Sequence, residues 1–201
     1  MDLAGFWELI ALSRGHDDPD ARLGWLRERL AALPPGDIVD FQLHLDELRR
    51  PVDTWLLWGA AYQICGRLCS DDGFWYFQAW LIGLGQETYE RIIAAPDTLV
   101  DVPEVKRLAG RSVDEWDDAE WPDWEALDYV AGEAYEQVTG KEHGLDEVLE
   151  TRGHDSPLSP DPVDDPWNFD DPQEVSRRLP RVARMFPVHD HWPPVRSYRS
   201  L

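Results

Sequence analysis

The chain has 201 residues, the length of one ordinary domain or of one domain with an appendage, and it can bury a core without disulfide or metal staples. Hydrophobic residues make up 43% of it and eleven residues are tryptophan, which excludes a chain disordered throughout. Its formal charge of −21 excludes the usual attraction to phosphate backbones and anionic lipids, so we expect no direct binding to nucleic acid or membranes.

Three helices are predicted in the first fifty residues. Asp2 precedes a segment whose apolar residues recur every three or four positions up to about Arg14, the period of one helix face. Asp18 and Pro19 have the chemistry of a helix start and predict a second helix over about 19–32. A third helix is predicted from Gly36 to near Pro51.

Further helices are predicted up to Gly140. Residues 51–68 are almost entirely apolar or small, which predicts a helix in the middle of the core with Trp55 and Trp58 buried. Ser70 and two aspartates suit the start of the next helix, which Gly85 interrupts before it continues to Ala94. Residues 109–120 are interpreted as an acidic surface loop, and a last helix is predicted over 121–140. The expected fold is all-α, a compact domain of six or seven helices.

Composition changes after Gly140, where we place a domain boundary between residues 1–140 and 141–201. Nine of the sixteen prolines lie in the second part, which predicts a largely irregular, Pro-rich extension. Residues 111–171 carry 20 acidic against 3 basic residues, whereas residues 172–201 carry 2 against 6. We therefore expect residues 172–186 to dock on the acidic middle region and to shield some of its tryptophans.

Several local strings of the first 140 residues resemble a bacterial family, domain of unknown function 4240. They are Phe6-Trp7, the stretch from Trp55 to Tyr62, the turn from Ser70 to Phe74 and Glu133-Ala134-Tyr135. The resemblance implies a helical domain with no established activity, and it supplies no catalytic residues. Seventeen arginines against two lysines fit a GC-rich actinobacterial source, where such proteins are common.

One candidate catalytic group is the turn at Asp71 and Asp72. Neighbouring carboxylates at a helix start can bind a cation or act as an acid/base pair, with Glu133 as a third partner if the last helix packs over the turn. The alternative is structural: capping of the helix for the two aspartates, and a salt bridge or simple exposure for Glu133.

No metal site is expected. Cys65 and Cys69 are four residues apart in a predicted helix, but zinc needs three or four ligands and no second pair at finger spacing accompanies them, so buried thiols are the favoured interpretation. The segments His16-Asp17-Asp18 and His189-Asp190-His191 would bind a metal only if the tail crossed to the first loop. We expect no cofactor, and no nucleotide-binding or hydrolase motif is present.

Five tryptophans lie among Asp, Glu and Pro, where nothing in the sequence obviously buries them: Trp116, Trp121, Trp124, Trp167 and Trp192. Exposed rings amid carboxylates suit arginine-rich partners, whereas the favoured alternative is that the protein's own Arg177, Arg178, Arg181 and Arg184 cover them. The leading hypothesis is a non-catalytic cytoplasmic binding protein for a basic protein segment, in an immunity or antitoxin-like role. The rivals are a small enzyme or small-molecule binder using Asp71, Asp72 and Glu133 in an aromatic-lined pocket, and a structural subunit of a homodimer formed through the tail.

Overall fold

The computed structural model describes residues 1–16 and 18–187, and within them the chain forms eleven α-helices, four short 3-10 helices and no strand. The all-α prediction is confirmed, and the predicted number of six or seven helices is too low. The α-helices are α1 Leu3–Ser13, α2 Pro19–Ala31, α3 Pro35–Arg49, α4 Trp55–Ile64, α5 Asp71–Gly83, α6 Gln86–Ala94, α7 Pro103–Leu108, α8 Val130–Thr139, α9 Gly144–Thr151, α10 Pro172–Arg178 and α11 Pro180–Met185. The 3-10 helices are Pro96–Asp101, Val113–Glu115, Asp118–Glu120 and Glu125–Asp128.

Side-chain caps fix the helix starts that the sequence predicted. The Asp2 carboxylate accepts the backbone N–H of Gly5 at 2.8 Å, which satisfies one of the donors that the first turn of α1 leaves free. Asp18 does the same for α2 at 2.8 Å. The Ser70 hydroxyl caps α5 at 3.2 Å, so the turn that precedes this helix is a capping turn.

The core lies between α1, α2, α3, α5 and α8, with α8 packed against both α2 and α3. Phe6, Phe41, Phe74 and Phe77 are fully buried in it. Because Phe6 comes from α1, Phe41 from α3, and Phe74 and Phe77 from α5, burying these rings together joins three helices into one body.

Helix α4 is shorter and less buried than predicted. It begins after Thr54, whose hydroxyl accepts the N–H of Leu57 at 3.1 Å, and it ends at Ile64. The chain then turns through left-handed backbone at Gly66 and Arg67, with φ of 60° and 69°, which a helix does not allow. Trp58 is half-buried and packs against the core, stacked on Phe74 at 4.9 Å between ring centroids, so the expected core position holds in part for Trp58. Trp55 is half-buried and stacks on Trp58, so the expectation is wrong for Trp55.

Residues 109–129 contain short 3-10 helices rather than the predicted loop and long helix, and α8 begins only at Val130. Ser112 and Asp117 each form a capping box with the glutamate three residues later, and this closes single turns instead of a continuous helix. Arg111 fixes the arrangement, because its guanidinium donates to both carboxylate oxygens of Glu120 at 2.6 and 2.8 Å.

The C-terminal segment packs against the helical domain. Residues 152–171 contain neither helix nor strand, and α10 and α11 follow, with α11 against α4 and the 3-10 helix at 96–101. Arg181 donates to both oxygens of Asp101 at 2.8 and 2.6 Å, and the Asp97 carboxylate accepts the N–H groups of Arg181 and Val182. The segment therefore docks mainly at residues 96–101, so the predicted docking on the acidic region 111–171 is wrong in its location. One contact agrees with the prediction, since Arg178 lies over the Trp167 ring at 5.2 Å. Among the described residues, no helix is long and apolar enough to cross a membrane.

Candidate functional site

A cleft of about 640 Å³ opens between α3, α5, α8, α9 and residues 156–158. We call it the acidic cleft, because six carboxylates line it: Asp46, Asp72, Asp128, Glu133, Glu136 and Asp146. Trp75, Tyr76 and Tyr129 add three aromatic rings, and none of the described lining residues is a lysine or an arginine. The cleft thus combines negative charge with π-faces, the two features that attract organic cations.

A buried ion pair between Arg49 and Asp128 lies behind the wall of the cleft. Arg49 is 2% exposed; it forms an ion pair with Asp128, donates to the carbonyl oxygen of Trp75 at 2.7 Å and lies 3.8 Å from the centre of the Trp75 ring. Burial raises the pKa of Asp128 and lowers the pKa of Arg49, because each charge loses water on folding, while their mutual attraction opposes both shifts. Arg49 thus holds both Trp75 and Asp128 in position through contacts that face the core.

Asp46 and Gln42 form a second polar group of the cleft wall. Asp46 is 4% exposed and accepts Gln42 Nε2 at 2.8 Å, while His154 Nε2 lies 2.7 Å from its other oxygen. Gln42 Oε1 is buried and has no hydrogen-bond donor among the described residues.

Two tyrosines at the cleft share one carboxylate. The hydroxyls of Tyr76 and Tyr129 donate to Glu125 Oε1 at 3.2 and 3.5 Å. Loss of water and the Glu125 charge together raise the pKa of Tyr76 to about 12, so its hydroxyl stays protonated at neutral pH. Tyr129 is 55% exposed and therefore presents an accessible ring to solvent.

The structure brings together only part of the predicted Asp71, Asp72 and Glu133 group. Asp72 and Glu133 both line the acidic cleft, but Asp71 does not. Glu133 forms a half-exposed ion pair with Arg27 at 3.3 Å, which agrees with the alternative that Glu133 makes a salt bridge. The three carboxylates therefore do not converge on one point.

The four described tryptophans of the predicted binding surface are not exposed. Trp116 and Trp124 are buried, Trp121 and Trp167 are half-buried, and Trp192 lies outside the described residues. Trp116 meets Trp121 edge to face at 5.0 Å, and Trp124 lies under the guanidinium of Arg22 at 4.0 Å. Self-contact thus explains these rings, but Arg178 is the member of the predicted arginine set that covers one of them.

The cysteines are buried free thiols, as expected, but they do not share a helix. Cys65 follows the last residue of α4, and Cys69 lies beyond the left-handed turn. A hydrogen bond with Cys69, together with burial, raises the pKa of Cys65 well above its usual value, so it stays a thiol. No group of three or more His, Cys, Asp or Glu among the described residues is placed to hold a metal ion, and Asp17 and residues 189–191 lie outside them.

Sequence reasoning missed Asp46, Asp128, Tyr76 and Tyr129. One signal was present in α3, where Asp46 and Arg49 interrupt the buried face formed by Phe41 and Leu45. Charged residues on a buried helix face indicate buried partners. Asp128 gave no comparable signal, because its partner is 79 residues away.

A family model described as protein of unknown function (DUF4240) matches residues 1–137. The chain therefore belongs to this family, which confirms the resemblance read from its local strings. No functionally curated protein and no solved structure matches the chain. The family model includes α1 to most of α8, and it ends before α9 and the residues that follow.

Proposed function

We propose that this protein is a non-catalytic binding protein whose acidic cleft receives the cationic side chains of a basic protein segment. The observation that carries the proposal is the composition of the cleft wall: six carboxylates, three aromatic rings and, among the described residues, no lysine or arginine. The binding surface is thus assigned to α3, α5, α8 and α9, and not to the tryptophans at 116–124 and 167.

The chemistry of the cleft favours a guanidinium group. A guanidinium carries five N–H donors, which match the carboxylates, and its flat face stacks on an exposed ring such as Tyr129. The net charge of −21 adds a long-range attraction that speeds the encounter with a basic partner. An immunity or antitoxin-like role would use these properties, because an acidic surface can occupy the basic cleft of a nuclease.

The test is a titration of the full chain with a fluorescent hexa-arginine peptide, compared with hexa-lysine, by anisotropy. The double variant E136Q/D146N removes two exposed charges of the cleft and should weaken hexa-arginine binding about tenfold, since two exposed ion pairs contribute up to about 1 kcal/mol each. Y129A should weaken it a further few fold through the lost cation–π contact, whereas Y129F should not.

The matched control is E8Q/E28Q, which removes the same charge from exposed positions of α1 and α2 outside the cleft. Its effect should be small and should vanish as salt rises. Equal losses for the two double variants would mean that binding follows net charge alone, and the cleft would then have no specific role.

A further inference from the structure

A groove along α4 is filled by residues 164–170 of the same chain. Asp164 occupies the start of the helix, where its carboxylate accepts the N–H groups of Trp55 and Leu56 at 2.5 and 3.2 Å. Thr54 already caps the helix through the N–H of Leu57, so Asp164 binds donors that the local cap leaves free. The helix N-terminus thus holds a carboxylate from a segment more than a hundred residues away.

The middle of the groove is a slot for an indole ring. Trp167 donates its indole N–H to the carbonyl oxygen of Trp55 at 3.0 Å, and its ring lies directly on Gly59. A Cβ atom at position 59 would lie 2.1 Å from Cζ2 of Trp167, so the slot exists because residue 59 has no side chain. Phe169 follows and contacts the ring of Tyr62 at 5.6 Å between centroids.

The far end of the groove binds a second carboxylate. Arg67 forms an ion pair with Asp170, and the Tyr62 hydroxyl donates to the same carboxylate at 3.1 Å. Gln63 Nε2 donates to the carbonyl oxygen of Phe169 at 2.8 Å. The groove therefore contacts an acidic residue, an indole, a phenyl ring and a second acidic residue in chain order, on a segment that turns at residues 169–170.

The segment that fills the groove is held by side-chain contacts and not by secondary structure. It has no helix or strand of its own, and Leu158 and Val163 before it are 90% and 88% exposed. The groove belongs to the part of the chain that the family model matches, whereas the segment lies beyond residue 137. The residues that form the groove thus lie within the matched domain, and the segment that fills it lies outside the match.

We propose that the α4 groove is a peptide-binding site for protein segments of the pattern Asp-x-x-Trp-x-Phe-Asp, and that residues 164–170 are a tethered copy of its ligand. A partner segment with this acidic, aromatic pattern competes with the tethered copy for the groove. The ligand is opposite in charge to that of the acidic cleft, and the site stands independently of the proposed function.

The probe is a fluorescein-labelled peptide of residues 161–171, DPVDDPWNFDD, added to the full chain. The double variant W167A/F169A empties the groove and should bind the peptide saturably. The wild-type chain should bind it at least tenfold more weakly, because a tethered segment competes at an effective concentration in the mM range. Adding G59A to the double variant should abolish binding, since the methyl group enters the indole slot.

Circular dichroism and urea midpoints check that each variant is folded. A second variant, D164A/D170A, loosens the tethered copy at its polar ends only and should also bind the peptide more tightly than the wild type does. The proposal is overturned if the folded variants bind the peptide no better than the wild type, or if G59A leaves binding unchanged. It is also overturned if a peptide with alanine in place of its Trp and Phe binds equally well.

Discussion

The sharpest stability prediction concerns the replacement of Arg49 by methionine. Methionine keeps much of the volume of the arginine side chain but removes the guanidinium, which is 2% exposed. The carbonyl oxygen of Trp75 then loses the hydrogen bond from Arg49, and Asp128 is left without its counter-ion. The cost of R49M therefore comes mainly from the groups that remain, not from the side chain that is lost.

Removing one partner of a buried ion pair costs about 3–5 kcal/mol. For a chain of this size, that lowers the melting temperature by about 6–20 °C. Urea unfolding followed by circular dichroism measures the free energy directly, provided that the slope of the transition stays unchanged. The double variant R49M/D128L replaces both charges by apolar groups and should recover most of the loss, because apolar replacements of buried pairs are often neutral.

The pH dependence gives an independent check. Burial raises the pKa of Asp128, so the folded state binds this proton more tightly than the unfolded chain does. Stability from Asp128 is therefore fully present below its unfolded pKa and is lost as pH rises through the raised value. Without Arg49 the pKa rises further, so the loss in R49M should shrink between about pH 7 and about pH 4. A loss below about 1 kcal/mol at neutral pH, or a double variant as unstable as R49M, would refute the argument.

Two further predictions rest on single side chains. G24A should raise the free energy of unfolding by about 0.5–1 kcal/mol, because nothing lies within 4 Å of the added methyl group, whereas G59A should lower it by about 1 kcal/mol by displacing Trp167. Stabilisation by both variants in urea titrations would show that Trp167 moves at no cost. Arg111 lowers the pKa of Glu120 to about 2, so stability from Glu120 is present above its unfolded value of 4.5 and is lost as pH falls towards 2. The difference in urea midpoint between wild type and E120Q should follow this course, and a pH-independent difference would contradict the ion pair.

Local chemistry explains which parts of the fold could be predicted. The starts of α1, α2 and α5 depend on Asp2, Asp18 and Ser70, which act on N–H groups three residues away. Because the cap and the N–H group that it binds are only three residues apart, the sequence alone indicates where these helices begin. The predicted central position of α4 in the core was wrong because its apolar residues lie on two surfaces. One surface faces the core, and the other is covered by Trp167 of the C-terminal segment.

The candidate sites depend on contacts of longer range. Asp72 and Glu133 could be placed on helices, but their common cleft depends on how α5 and α8 pack. Asp128 and Asp164 act on partners 79 and 109 residues away, and no spacing rule connects such positions. The favoured interpretation of Trp124 expected a cover from arginines 177–184, whereas Arg22 covers it, because neighbours in space are not evident from the sequence.

The separation between α4 and its cover also has a consequence during synthesis. Asp164 follows Trp55 by 109 residues, so at about 5–20 residues per second the ribosome releases the cover about 5–20 s after the helix it protects. Throughout that interval the nascent chain exposes the stacked pair of Trp55 and Trp58. Each newly made molecule therefore offers this aromatic surface to chaperones and neighbouring chains before its own C-terminal segment can close it.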